Sequence, residues 1–264
     1  MDRGELARQL ATNIGQKIAS YVSNSGDPIY KGVSRGDFTL QVDQDAETEI
    51  RASIDHYFPH DAIEGEEYGK SSGTSGYRWI IDPLDGTRNF KAGLPSFCTG
   101  IAVEEDENVV IASVYSPKTR EFFFTERGNG AYVNDQRISV SSQDNLQKFL
   151  FAYLTGDHSH PDSSRLGAQC IARITEQKAQ FRFQGSALLE LCLLAKGSYD
   201  AAVKVYPKGY WDYAAGSLMV EEAGGKVTGF DGTPWGRDTK NLLASNGKIH
   251  TDLLEMFTRQ ISQT

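Results

Sequence analysis

Apolar residues recur every four positions at Leu6, Leu10, Ile14, Ile18 and Val22, with Ala7 and Ala11 beside them. That spacing predicts an amphipathic helix, which stops at Asn24-Ser25-Gly26-Asp27-Pro28. A second helix is expected with Asp43 as its cap, with Ala46, Ile50, Ile54 and Tyr57 on its inner face, and with Pro59 closing it. From Trp79 the character changes to strands at 79–81, 98–103, 109–115 and 121–125, separated by polar or Gly/Pro turns, and consecutive short strands imply an antiparallel sheet. Beyond about residue 143 strands at 149–154, 181–183, 199–205, 226–228 and 242–245 alternate with helices at 163–175, 187–195, 212–222 and from 250 onward, the pattern of an α/β unit. Two halves are expected, 1–145 and 146–264. The Ser/Gly-rich stretch 71–76 reads as a mobile surface loop. Phe122-Phe123-Phe124 reads as sheet packing, and Leu253, Leu254, Met256, Phe257 and Ile261 as the buried stripe of a last helix.

Charge narrows the function classes. The 264 residues carry 27 Lys+Arg against 35 Asp+Glu, a net charge of −8, with no basic run. A polyanion binder holds its partner with clustered cations, so nucleic acid and anionic membrane surfaces are disfavoured as partners. No stretch approaches the ~18 apolar residues of a membrane span, and the first twenty residues are too charged for a signal peptide. Three scattered cysteines, Cys98, Cys170 and Cys192, read as buried small hydrophobes in a reducing compartment, so a cytoplasmic location is expected.

The most informative segment is Trp79-Ile80-Ile81-Asp82-Pro83-Leu84-Asp85-Gly86-Thr87, where an apolar strand delivers two carboxylates, a turn and a hydroxyl. Pro83 is expected to end the strand in a type I turn that Asp82 opens, Gly86 to let backbone approach a ligand, and Thr87 to cap a short helix whose free amides face an anion. As turn formers Asp82 and Asp85 need no further explanation, and Asp212 is equally an ordinary helix cap. Glu66-Glu67, taken alone, is a solvated pair. Collected in one place, however, these acids would repel one another unless a multivalent cation lay between them. Hard oxygen donors without a His or Cys partner point to Mg²⁺ or Mn²⁺, and two such ions are suited to phosphate ester hydrolysis. His158, His160 and Asp162 stand in a Pro-containing loop and read as exposed residues rather than a second metal site.

These motifs resemble the inositol monophosphatase family of lithium-sensitive, magnesium-dependent phosphatases, which includes fructose-1,6-bisphosphatases, histidinol-phosphate phosphatases and 3′-phosphoadenosine-phosphate phosphatases. Three of them occur in the family's order: Gly65-Glu66-Glu67, residues 79–90 (WIIDPLDGTRNF), and Trp211-Asp212-Tyr213-Ala214-Ala215-Gly216 continuing to Glu222-Ala223-Gly224-Gly225. The resemblance implies a layered αβαβα sandwich. It matches Glu66, Asp82 and the Leu84 carbonyl to a first Mg²⁺ site, and Asp82, Asp85 and Asp212 to a second. By the same resemblance Glu66 is expected also to hold a third, weaker ion, and Asp37 matches the family's acid near it. Glu67 and Thr87 match the pair that orients the attacking water, and Asp43 the acid that supports the Thr hydroxyl. Gly86 and Thr87 match the phosphate cradle, and Gly185-Ser186-Ala187 the turn that contacts substrate hydroxyls, although Gly-Ser before a helix is also plain capping. A homodimer is expected by the same resemblance.

One position departs from the pattern. Where inositol-specific members place a Glu against the sugar ring, alignment of Asp200-Ala201-Ala202-Val203-Lys204 puts Lys204. A cation there favours a second anionic group on the substrate, unless the lysine simply faces solvent. The expected chemistry is direct attack of a metal-activated water on a phosphate monoester, with inositol monophosphate or a related sugar or polyol phosphate first among the substrates. Fructose 1,6-bisphosphate, histidinol phosphate and 3′-phosphoadenosine 5′-phosphate are alternatives. An aspartyl-phosphate phosphatase is disfavoured because two residues, not one, separate Asp82 from Asp85. A non-catalytic homologue that binds metal and sugar phosphate is the alternative of another class.

Overall fold

The computed structural model describes residues 1–21, 29–30, 38–154, 156–157 and 159–258; Val22, Asp37, His158 and Ile261 lie outside them. The first half contains α1 (Arg3–Ser20), β1 (Ile29–Tyr30), β2 (Phe38–Thr39), α2 (Gln41–Tyr57), β3 (Ala62–Gly65), β4 (Gly69–Ser71), β5 (Tyr77–Asp85) and α3 (Thr87–Lys91), followed by β6 (Cys98–Glu105), β7 (Asn108–Ser116), β8 (Glu121–Glu126), β9 (Ala131–Val133) and β10 (Gln136–Arg137). The second contains β11 (Leu150–Leu154), α4 (Ser163–Glu176), β12 (Gln180–Arg182), α5 (Ala187–Ala195), β13 (Ala201–Val205), α6 (Ala214–Glu222), β14 (Lys226–Gly229), β15 (Asn241–Ser245) and α7 (His250–Thr258).

Strands β3 to β10 form one sheet in the order β10-β9-β8-β7-β6-β5-β3-β4, and β11 to β15 a second in the order β12-β11-β13-β15-β14. Alternation along each strand explains the layers. Trp79, Ile81, Ile101 and Val103 turn toward α1 and α2, whereas Ile80 and Ala102, one residue out of phase, turn toward α5 and α6. The second sheet covers the other side of α5 and α6 through Ala152, Ala202 and Leu242, and its far face packs Phe151, Val203 and Leu243 on Cys170, Ile174, Leu253 and Phe257. Sandwiched between two sheets, α5 and α6 bury residues all round, which is why they lack the polar stripe of a surface helix. The result is the αβαβα sandwich. Neither sheet has one direction: β3 pairs parallel with β5, and β13 and β14 pair antiparallel with β15.

Several local expectations are corrected. Pro83 does not end its strand, because β3 has stopped opposite Ile81 and nothing there requires a Pro83 amide; a bulge between Asp82 and Asp85 absorbs the irregularity. Asp43 is not the cap of α2 but stands inside its first turn, where Oδ2 accepts the Leu40 amide at 2.7 Å. The 71–76 stretch is exposed yet tied down, since Ser75 donates to Asp61 at 2.6 Å and the Thr74 and Ser75 amides share the His60 carbonyl. All three cysteines are buried and unpaired. Phe123 enters the core, while Phe122 and Phe124 stack on each other under Arg8. His160 stacks on Tyr206 at 3.6 Å, and Asp162 pairs with Arg165. Among the described residues no helix is long and apolar enough to cross a membrane.

The start of α7 supplies a pH dependence. His250 is buried between the Thr228 and Ser245 hydroxyls at 2.9 and 2.8 Å, and burial, helped by Lys226, lowers its imidazole to about 4. The unfolded chain therefore binds a proton between pH 6.5 and 4 that the folded chain refuses. Stability is full above 6.5 and falls through that window by up to about 3 kcal/mol. Urea melts at pH 7 and pH 4.5 will show the loss, and His250→Gln will flatten that part of the slope; an unchanged slope refutes the assignment.

Candidate active site

Parallel pairing of β3 with β5 puts Gly65 opposite Ile81, so β3 ends there while β5 runs on, and Glu66 is released beside Asp82. The Glu66 amide still bonds the Ile81 carbonyl at 3.2 Å, which fixes the first motif to the second. Active sites of sheets with parallel strands collect at such carboxyl ends. Gly65 is required there because a Cβ would fall inside the carboxylate of Glu47, which reaches across from α2. That carboxylate, wholly buried, accepts the amides of Glu67 at 2.7 Å and Tyr68 at 3.2 Å and pairs with Arg51 at 2.7 Å. Glu47 was not anticipated from the sequence. Its signal was an acid next to Ala46, inside the apolar stripe.

Asp82 is 3 % exposed and its Oδ1 has no hydrogen-bond partner among the described residues. Burial raises its pKa well above the usual carboxylate range, and the charges of Glu66, Asp85, Asp212 and Asp43 raise it further, in that order. All the predicted acids of the two metal sites therefore lie within electrostatic reach of one buried carboxylate. Asp85 is partly exposed; burial lifts it to about 6 against the lowering effects of the Ser186 hydroxyl and Lys204. Its Oδ2 accepts the Ser186 hydroxyl and the Leu188 amide, each at 2.7 Å.

Asp212 arrives from the other half. It closes a single 3₁₀ turn, Tyr210–Asp212, and is not the cap of α6, which begins after Tyr213. Its Oδ2 accepts the Lys208 amide at 2.9 Å and lies 3.1 Å from Nζ of Lys204. Lys204 does not face solvent: its side chain is 3 % exposed and lies against Asp212. Lys208, also unanticipated, places Nζ 3.1 Å from Glu66. Among the described residues no three acidic, His or Cys side chains close on one point as a finished cation cage; the Lys204 ammonium pairs with Asp212 and that of Lys208 with Glu66.

Gly86 holds φ +94°, and a Cβ on it would strike the Ser96 carbonyl, so only glycine fits. It is the residue that caps α3; Thr87 is the first helical residue instead, and its hydroxyl donates to the Leu84 carbonyl at 3.0 Å rather than to Asp43. The carbonyl keeps a second lone pair for another partner. Ser186 occupies the cap position of α5, but its hydroxyl makes no cap bond and goes to Asp85. The preceding turn is held by Asn89, whose Nδ2 donates to the Gln184 carbonyl at 2.6 Å.

The acids fit a hard divalent cation. A buried carboxyl without a donor, surrounded by like charges, either takes up a proton or needs a positive group against it, and a cation placed there would hold it ionised. Every candidate donor is an oxygen, and the nearby thiols of Cys98 and Cys192 are kept protonated by burial and by Asp85.

Comparison with known proteins agrees with this geometry. The sequence pattern of the inositol monophosphatase family matches residues 3–263. A fructose-1,6-bisphosphatase/inositol-1-monophosphatase of Thermotoga maritima is 32% identical over 265 residues, covering 100% of this chain and 98% of its own. A protein of Haemophilus influenzae named Nus factor SuhB is 37% identical over 226 residues, 85% of this chain and 83% of its own. In three dimensions the extragenic suppressor protein SuhB of Bartonella henselae superimposes with a TM-score of 0.89 at 31% identity, covering 97% of this chain and 98% of that one. With its three motifs gathered at the strand ends of an αβαβα sandwich, this chain belongs to the inositol monophosphatase family and is a phosphatase.

Proposed function

We propose that the chain hydrolyses a small sugar or polyol phosphate monoester with Mg²⁺, Mn²⁺ being the substitute, held by Glu66, Asp82, the Leu84 carbonyl, Asp85 and Asp212. The observation that carries this reading is the donor-free Oδ1 of Asp82 among four other acids. When bound, the cation supplies Lewis-acid polarisation and lowers the pKa of a water. Amides at the start of α3, from Gly86 and Thr87, have no intrahelical carbonyl to bind and receive the phosphoryl oxygens. With its proton committed to Leu84, the Thr87 hydroxyl accepts a hydrogen bond from the attacking water, and Glu67 takes the proton. Asp43, which the sequence paired with Thr87, acts instead by bracing the Leu40–Gln41 turn and adding negative potential at Asp82.

Lys204 bears on substrate choice. A cation already fixed beside Asp212 adds positive potential to that end of the site, which favours a substrate with a second anionic group, such as fructose 1,6-bisphosphate, over inositol 1-phosphate. Phosphate release will be measured with and without Mg²⁺ on inositol 1-phosphate, fructose 1,6-bisphosphate, histidinol phosphate and 3′-phosphoadenosine 5′-phosphate. Release that needs Mg²⁺ is expected; none from any ester would favour a non-catalytic binding protein. Lys204→Met is expected to raise KM for the bisphosphate relative to the monophosphate by up to about tenfold, the value of about 1.4 kcal/mol of charge attraction. An unchanged ranking would remove Lys204 from substrate choice.

A further inference from the structure

We infer that Ser186 is a positioning residue that presents one chosen oxygen of Asp85 to the cation, an inference that rests on the metal-dependent reading above. Three protein groups converge on Asp85, and all three meet the same oxygen. Oδ2 accepts the Ser186 hydroxyl and the Leu188 amide at 2.7 Å each, and the Cys98 thiol lies 3.7 Å from it. No described residue donates to Oδ1. A carboxylate held at one oxygen by two short hydrogen bonds does not rotate freely, so its other oxygen keeps a fixed direction.

Where Ser186 stands makes this arrangement unusual for a serine before a helix. It has the cap position of α5 and is wholly buried, yet it leaves the helix's own amides alone. Asp85 takes over the capping, accepting the Leu188 amide from outside the helix. The hydroxyl is thus a bridge between the strand of one half that bears Asp85 and the helix of the other. It also lies too deep for the side chain to meet a substrate hydroxyl, which limits the substrate contacts expected of this turn to Gly185 and the backbone.

Loss of a partner that orients a metal ligand typically weakens metal affinity by about 10- to 100-fold. Calorimetric titration of the full chain with Mg²⁺ tests this. Ser186→Ala is expected to raise the dissociation constant about tenfold or more, and Ser186→Thr, which keeps the hydroxyl, to recover most of it. In an Asp85→Asn background the Ser186→Ala change is expected to add nothing, because both act through one carboxylate. A merely structural serine would lower the melting temperature in EDTA and leave Mg²⁺ affinity alone, and that result overturns the inference. Wild-type protein that takes up no Mg²⁺ overturns the metal-dependent reading as well; wild-type uptake matched by Ser186→Ala overturns only the role of Ser186.

Discussion

Asp82→Asn will abolish measurable phosphate release and at the same time raise the thermal midpoint of the metal-free protein. Both effects have one cause. Asp82 is the carboxylate on which the charges of Glu66, Asp85, Asp212 and Asp43 act, and its Oδ1 has no donor, so in the absence of a cation it weakens the fold, by the cost of its charge or of the proton that it must take up. Asn keeps the volume and removes the repulsion. With the charge goes the shared ligand of both proposed metal positions. A bound cation is worth several kcal/mol of transition-state stabilisation, and each 1.36 kcal/mol is tenfold in rate, so turnover falls on the order of 10³-fold. Melting in EDTA and a phosphate-release assay on the same preparation check the two halves. A variant less stable than wild type, or one that keeps a tenth of its activity, contradicts the account. Strain of this kind is the ordinary trade between stability and function at a catalytic site.

Glu47→Ala will be the most damaging single change outside the ligands. Its carboxylate is fully buried, and its removal leaves the Glu67 and Tyr68 amides and the Arg51 guanidinium without their shared acceptor. Breaking a buried pair from one side costs about 3–5 kcal/mol, against a total stability of about 5–15 kcal/mol. At about 2–4 °C per kcal/mol for a chain of this class, the midpoint falls by roughly 10 °C. Because Glu47 anchors the turn that carries Glu66 and Glu67, activity is expected to drop even well below the new midpoint. Glu47→Gln, which keeps an acceptor, should lie between the two. Chemical denaturation read by tryptophan fluorescence measures it, and a loss below about 1 kcal/mol would show that the turn holds itself.

Helix stripes and strand runs were legible because the layers bury one face at a time. The every-fourth-residue pattern of α1 and the alternation through Trp79, Ile80 and Ile81 each report a neighbouring layer directly. Boundaries were read less well wherever a tertiary partner replaced a local signal. Pro83 continues a strand because β3 has already ended, Asp212 sits outside α6 because Lys208 and Lys204 hold it, and Ser186 gives up capping because Asp85 does it.

The acids themselves were visible as motifs, since each stands at a turn or strand end that its own neighbours explain. Residues that serve those acids were not. Glu47, Lys208 and the oxygen-specific hold of Ser186 act across 20, 142 and 101 positions of chain, distances at which no periodicity or turn rule operates. What the amino-acid order determined by itself was therefore which segments become helix or strand and which side chains can carry chemistry, because both follow from contacts a few residues long. Only the tertiary structure decided that β3 runs parallel to β5 and stops opposite Ile81, that Lys204 is buried against Asp212, and which oxygen of Asp85 is left open, because packing between layers, not local preference, brings those groups together.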